Sequence, residues 1–285
     1  MSTKTWKSFG SSVIGATHAD YGKPNQDAFF HRHVIDAAGM PQSIAAVSDG
    51  HGGARYIRSD KGARFAVENI CETVLSNAPI LKQVDGKLTD KVVSQITANF
   101  YRKWAACVDA DIQKNPFTKK ELTSLRELFG EDFCKTLLED GKVAYGSTVL
   151  LAATYDDMIL TMQLGDGNIL FLYEDGTVKN MTADCHFAMA DETLSLGDFQ
   201  NEYMRHNVFT NEDLPVLITL STDGVVKSFE NKEEFMKMPC ILHNLLANKG
   251  IDKAKIELEE FLSVVTDKGA GDDVTMAVLY RSDRV

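Results

Sequence analysis

Apolar runs of strand length that end on an aspartate and a glycine are what most restrict this chain. "SIAAVSDGHGG" stops at Asp49-Gly50, "MILTMQLGDG" at Asp166-Gly167 and "PVLITLSTDG" at Asp223-Gly224. "GAGDDVTMAVLY" inverts the order, so that Asp272 and Asp273 open an apolar run. One Asp-Gly pair is an ordinary turn signal, because Gly tolerates positive φ and Asp caps its own turn. Repetition at the ends of separate runs points instead to a fold whose strand ends gather carboxylates. Asp175-Gly176, flanked like an exposed hairpin, is assigned no chemistry.

The rest of the pattern fixes the fold class. "SSVIGATH", "QDAFFHRHVI" and "SIAAVSD" read as strands. Ala54, Ile57, Ala63, Phe65, Ala66, Ile70, Val74 and Leu75 share one face of a helix over about 53–76, and 77–88, with Pro79 and Gly86, reads as a loop. Helices follow over 89–113, with Thr89 as a possible N-cap, and over 118–140, broken near Gly130. Residues 146–180 read as a meander of strands turning at Asp156-Asp157, Asp166-Gly167 and Asp175-Gly176. Residues 181–213 are polar and weakly periodic, either a surface excursion, which the composition slightly favours, or a flap. Helices ending near Gly250 and Gly269 precede a last strand. So few strand–helix alternations favour an α+β fold of antiparallel sheets covered by helices over a doubly wound parallel sheet.

Composition narrows the function classes. No linker or low-complexity stretch interrupts the 285 residues, so a single domain over 1–285 is expected. A net charge of −11 argues against a nucleic-acid partner. No apolar run reaches membrane-spanning length, and the first residues lack the apolar centre of a signal peptide, so a cytoplasmic protein is expected. The five cysteines are scattered without a C-x-x-C pair and read as reduced thiols.

Asp49, Asp223 and Asp272 are the first candidates for chemistry. Brought together in a partly dry site they would repel one another, and a divalent cation between them would keep them ionised. Hard oxygen ligands without a Cys or His cluster favour Mg²⁺ or Mn²⁺ over Zn²⁺. Two such ions, about 3.5–4 Å apart, activate water and clamp a phosphoryl oxygen. Separate capping or turn carboxylates are the open alternative.

"PNQDAFF", "AAVSDGHGG", "YGSTVLLA", "LGDGNILFL", "LITLSTDGV" and "GAGDDVTMAV" follow one another in the order and rough spacing of the metal-dependent protein phosphatase 2C family. The chain resembles that family from about residue 9 to 281, in a form similar to a bacterial branch. The resemblance implies a four-layer α-β-β-α sandwich with two antiparallel sheets at its centre. It implies hydrolysis of phosphoserine or phosphothreonine in a protein by metal-activated water, without a covalent phosphoenzyme, in opposition to a Ser/Thr kinase. By position, Asp49 would bridge two Mn²⁺ or Mg²⁺ ions, Gly50 would offer its carbonyl to the second, and Asp223 and Asp272 would bind the first. Asp27 would support the ions or their waters, Asp166 would serve a third, weaker site, and His51 would be the general acid, a role that a neutral-range pKa suits. Gly146, Ser147 and Thr148 would hold the fold. Asp273 stands where the family usually has Asn, and either orients Asp272 or caps a turn.

The departures are specific. Gly22 stands where many members place a phosphate-binding Arg, Gln26 where many have Glu, and Gly167-Asn168 where many have Ser-Arg. His18, Lys23, Arg55 and Arg58 are the candidate substitutes for the phosphate ligand, with His18 foremost because it reads as part of the strand–loop segment leading to Asp27. Loss of the Arg keeps a different class open, a phosphatase-like regulatory or phosphoprotein-binding module with little turnover. A hydrolase of small phosphate esters is a weaker third.

Overall fold

The computed structural model describes residues 5–84, 86–182, 193–210 and 214–283. The first block comprises β1 (Trp6–Val13), the short helix α1 (Ala16–Asp20), β2 (Ala28–Ile35) and β3 (Pro41–Ser48). Three helices follow, α2 (Ser59–Leu81), α3 (Gly86–Lys114) and α4 (Lys119–Glu139), then a 3-10 turn (Gly141–Tyr145). The second strand block is β4 (Val149–Tyr155), β5 (Met158–Leu164), β6 (Asn168–Leu172), β7 (Val178–Asn180), β8 (Arg205–Thr210) and β9 (Leu217–Ser221). The chain ends with α5 (Asp223–Lys227), α6 (Lys232–Phe235), α7 (Met238–Lys268) and β10 (Val274–Arg281). The strands form two antiparallel sheets, ordered β2-β3-β4-β5-β8 and β1-β10-β9-β6-β7.

Alternation along the strands explains why their sequences are apolar without a break. In β3, Ile44 and Ala46 face a core shared with α2 and α3, through Ile70, Val74, Phe100 and Trp104. Ala45 and Val47 face the other sheet, against Ile218, Leu220, Ala277 and Leu279. In β10, Val274, Met276 and Val278 face α7, through Leu242, Leu258 and Leu262. Each central strand is buried on both faces, so period-two patterning disappears. The layers are helices, sheet, sheet, helix, as the resemblance implies. No helix among the described residues is long and apolar enough to cross a membrane.

Several local expectations change. "SSVIGATH" is divided: β1 ends at Val13, and His18 lies on α1 instead of a strand. The helix expected over 53–76 runs Ser59–Leu81, because residues 50–58 are held in irregular backbone bonds such as Arg58 N–H to Ala144 O at 2.9 Å. Pro79 sits in its last turn, where it forgoes one bond to the carbonyl four residues back and only two more helical residues follow. Thr89 lies inside α3 and is not its N-cap; α4, the next helix, opens on a reciprocal capping box between Thr118 and Glu121. Gly130 and Gly250, at φ 85° and 74°, break α4 and α7 as read from the sequence. The meander is not continuous: β4 and β5 belong to one sheet, β6 and β7 to the other, and the chain crosses between them at Gly165–Gly167. Much of the 181–213 segment, including Cys185 and His186, lies outside the described residues; Cys71, Cys107, Cys134 and Cys240 are free thiols.

Candidate active site

Strand register brings the aspartates together. β2 and β3 pair Ala28 with Ser48, so the next rung sets Asp27 beside Asp49. β6 and β9 pair Asn168 with Ser221, and the same register carried two residues further sets Asp166 opposite Asp223. β9 and β10 pair Ser221 with Met276, which brings Asp223 level with Val274, directly after Asp272 and Asp273. Both sheets thus deliver carboxylates to one end of the sandwich.

Hydrogen bonds lock these strand ends to each other. The Thr222 hydroxyl accepts the Thr275 N–H at 3.0 Å and donates to Asp27 Oδ2 at 2.7 Å, joining the two sheets. Thr148 accepts the Asp49 N–H at 3.0 Å through its hydroxyl and donates its own N–H to the Asp49 carbonyl at 2.8 Å. Asp273 is buried and accepts the Gly15 N–H at 2.6 Å and the Gln26 N–H at 2.7 Å, so it pins the segment leading to Asp27. Gly224 and Gly50 permit this density: a Cβ on Gly224 would lie 2.1 Å from the Asp273 carbonyl oxygen, and one on Gly50 2.6 Å from that of Gln26.

The resulting electrostatics are those of crowded acids. Burial, then the neighbouring Asp273, hold the Asp27 carboxyl well above its usual range, against the Thr222 hydrogen bond that favours ionisation. Asp49 is raised well above by burial and by Asp27 and Asp223. Asp272 and the exposed Asp166 are raised by desolvation and by Asp223. Asp223 Oδ1 is buried without a protein partner, while its Oδ2 lies 2.5 Å from Lys227 Nζ.

His51 borders the cluster, its ring 4.7 Å from that of Tyr56. Burial and Arg55 push it down to about 4, with Asp223 pulling the other way, so it is neutral near pH 7 instead of poised there as the sequence suggests. Its Nε2 is buried without a protein partner, as is Gln26 Oε1; the Gln26 amide donates to Ser59 Oγ at 2.5 Å and to the His51 carbonyl at 3.2 Å.

The candidate phosphate ligands separate. His18 is engaged, with Nδ1 3.0 Å from Asp273 Oδ2, and so braces the aspartates instead of facing a substrate. Arg58 is buried over the Phe117 ring, bonded to Tyr145, Glu121 and the Asn115 carbonyl, so it is structural. Arg55 lies over the Tyr56 ring. Lys23 is exposed in the turn after α1. Sequence reasoning did not single out Lys227, Thr222 or Ser59; only the fold brings a side chain four residues after Asp223 back onto it.

The donor set suits a hard divalent cation: carboxylates held near one another, ionisation opposed by their mutual field, and one buried orphan oxygen on Asp223. Among the described residues no three His, Cys, Asp or Glu side chains close on one point. Acids that repel each other stand apart; a cation among them would replace that repulsion with attraction.

Comparison with known proteins identifies the fold and the family. The protein phosphatase 2C family model matches residues 14–263. No curated protein sequence matches the chain. Among solved structures, PppA, a key regulatory component of T6SS in Pseudomonas aeruginosa, is 16% identical with a TM-score of 0.57, and 98% of each chain is covered. The catalytic domain of the serine/threonine phosphatase PstP, solved with two manganese ions, is 14% identical with a TM-score of 0.57, over 98% of this chain and 99% of that one. A bacterial serine phosphatase is 12% identical with a TM-score of 0.54, over 97% and 98%. At these identities the likeness concerns the fold alone. The family match spans most of the sequence, and the chain belongs to the protein phosphatase 2C family of metal-dependent protein phosphatases.

Proposed function

We propose that the protein hydrolyses phosphoserine and phosphothreonine in a protein substrate, opposing a Ser/Thr kinase in the cytoplasm, with two Mn²⁺ or Mg²⁺ ions. Asp49, Asp223 and Asp272, with the Gly50 carbonyl, would hold the pair; Asp27 would support it from below, and Asp166, at the rim, would serve a third, weaker ion. The observation that carries this reading is the gathering of strand-end carboxylates whose ionisation is opposed by one another, with Asp223 Oδ1 left unsatisfied. That the PstP structure contains two manganese ions is in keeping with it.

Bound ions would supply activation of the attacking water and charge neutralisation at the phosphoryl oxygens. The chain's own groups do the rest. Thr222 fixes the height of Asp27 relative to the opposite sheet, and Thr148 fixes Asp49 against the start of β4 in its own sheet. Gln26, tethered to Ser59, presents an amide oxygen that can orient water. His51 is placed to pass a proton to the departing seryl or threonyl oxygen, and a phosphate dianion beside it supplies the negative charge that raises its affinity for that proton. The test is hydrolysis of a phosphopeptide and of p-nitrophenyl phosphate with Mn²⁺, with and without EDTA. Turnover that requires the metal supports the reading; turnover indifferent to EDTA overturns it, and phosphopeptide binding without turnover would leave a recognition module instead.

A further inference from the structure

Lys227 reaches the carboxylate cluster from outside the strand ends. It sits on the last turn of α5, four residues after Asp223, and its Nζ lies 2.5 Å from Asp223 Oδ2. Its ammonium also favours ionisation of Asp166 and Asp272, so one cation serves acids from three strand ends. The side chain is 55% exposed, so it reaches the cluster from the solvent side along a flexible stem.

We propose that Lys227 holds the phosphate of the substrate, an inference that rests on the phosphoester reading above. In the structure the ammonium rests on Asp223. A divalent cation taking that carboxylate would both remove the lysine's partner and repel its charge, and the exposed stem lets the head turn outward without disturbing α5. The place it turns to is the solvent side of the cluster, where Asp166 is exposed. A phosphate dianion entering there meets a compact point charge with three donors. Arg58 is buried in its own network, His18 is on Asp273, and Lys23 is exposed in the turn after α1. Arg55, beside His51, is the rival and serves as the comparison.

The experiment compares wild type, Lys227→Met, Lys227→Arg and Arg55→Met, each with Mn²⁺. It measures kcat and KM on a phosphopeptide, the inhibition constant of inorganic phosphate, and Mn²⁺ affinity by calorimetry. Lys227→Met is expected to raise KM and the phosphate inhibition constant at least tenfold, with a smaller change in kcat. Lys227→Arg recovers most of that loss. Mn²⁺ binding in Lys227→Met should be equal or tighter, because a competing cation has gone. Unchanged KM and phosphate inhibition in Lys227→Met, or the whole effect appearing in Arg55→Met, overturns the proposal. A wild type that binds Mn²⁺ without turnover refutes the phosphatase reading, and direct titration of inorganic phosphate into wild type and Lys227→Met then decides the role of Lys227 separately.

Discussion

The Thr222 hydroxyl reaches across the sandwich to Asp27 Oδ2, 2.7 Å away, while accepting the Thr275 N–H at 3.0 Å. One oxygen thus ties β9 and β10 of one sheet to the start of β2 in the other, and it does so beneath the carboxylate cluster. Thr222→Val keeps the shape and removes both bonds. The N–H of Thr275 is buried, so the loss should be about 1–3 kcal/mol, read from urea unfolding. Activity should fall with it, because Asp27 loses its fixed height.

Asp223→Asn separates charge from shape. Phosphopeptide hydrolysis should drop about 100-fold or more, because a central carboxylate of the proposed metal cage is gone. Without metal the variant should melt no lower than wild type, since the repulsion raising Asp49, Asp166 and Asp272 is relieved. The rise in melting temperature on adding Mn²⁺ should shrink or vanish. Differential scanning fluorimetry with EDTA and with Mn²⁺ reads both effects.

Gly224→Ala places a methyl 2.1 Å from the Asp273 carbonyl oxygen, closer than any real contact. The backbone must part there, separating Asp223 from Asp272. A destabilisation of about 1–3 kcal/mol is expected. Mn²⁺-dependent activity should be lost even at temperatures where circular dichroism shows the fold intact.

The EDTA-treated protein should show an inverted pH dependence. Asp27 and Asp49 titrate higher folded than the ordinary Asp value of about 3.9. Between those values the folded state binds more protons, so their contribution is full below about pH 4 and is lost as pH rises through the folded pKa values. Asp111 behaves oppositely. Burial opposes its ionisation, yet hydrogen bonds from Lys61, Tyr145 and Asn115 outweigh it and bring the carboxyl down to about 2. Its contribution is present above about pH 4 and disappears between about 4 and 2. Urea midpoints in EDTA should therefore fall as pH rises above about 4, and Asp49→Asn should flatten that slope.

His51→Gln should discriminate between leaving groups. A seryl oxygen needs a proton as it departs, whereas p-nitrophenolate does not. Phosphopeptide turnover should fall about 10²-fold or more, with a much smaller loss on p-nitrophenyl phosphate. Equal losses on both would remove the acid role.

The strand ends were legible because an Asp-Gly pair closing an apolar run survives any context, and the helix breaks at Gly130 and Gly250 because positive φ demands glycine. Asp273 could be read only as a cap or an orienting group, since its partners, Gly15 and Gln26, lie about 250 positions away in sequence. His18 was misplaced for the same reason: a short helix with no buried residue of its own carries no periodic signature, and His18 is held by Asp273. Lys227 reads as a surface lysine in a polar stretch until α5 folds it onto Asp223.

Anomalous diffraction from Mn²⁺-soaked crystals tests the central claim most directly. Two manganese peaks among Asp49, Asp223, Asp272 and the Gly50 carbonyl are predicted, with Asp49 touching both. Peaks confined to surface carboxylates, with none touching Asp49 or Asp223, would contradict it.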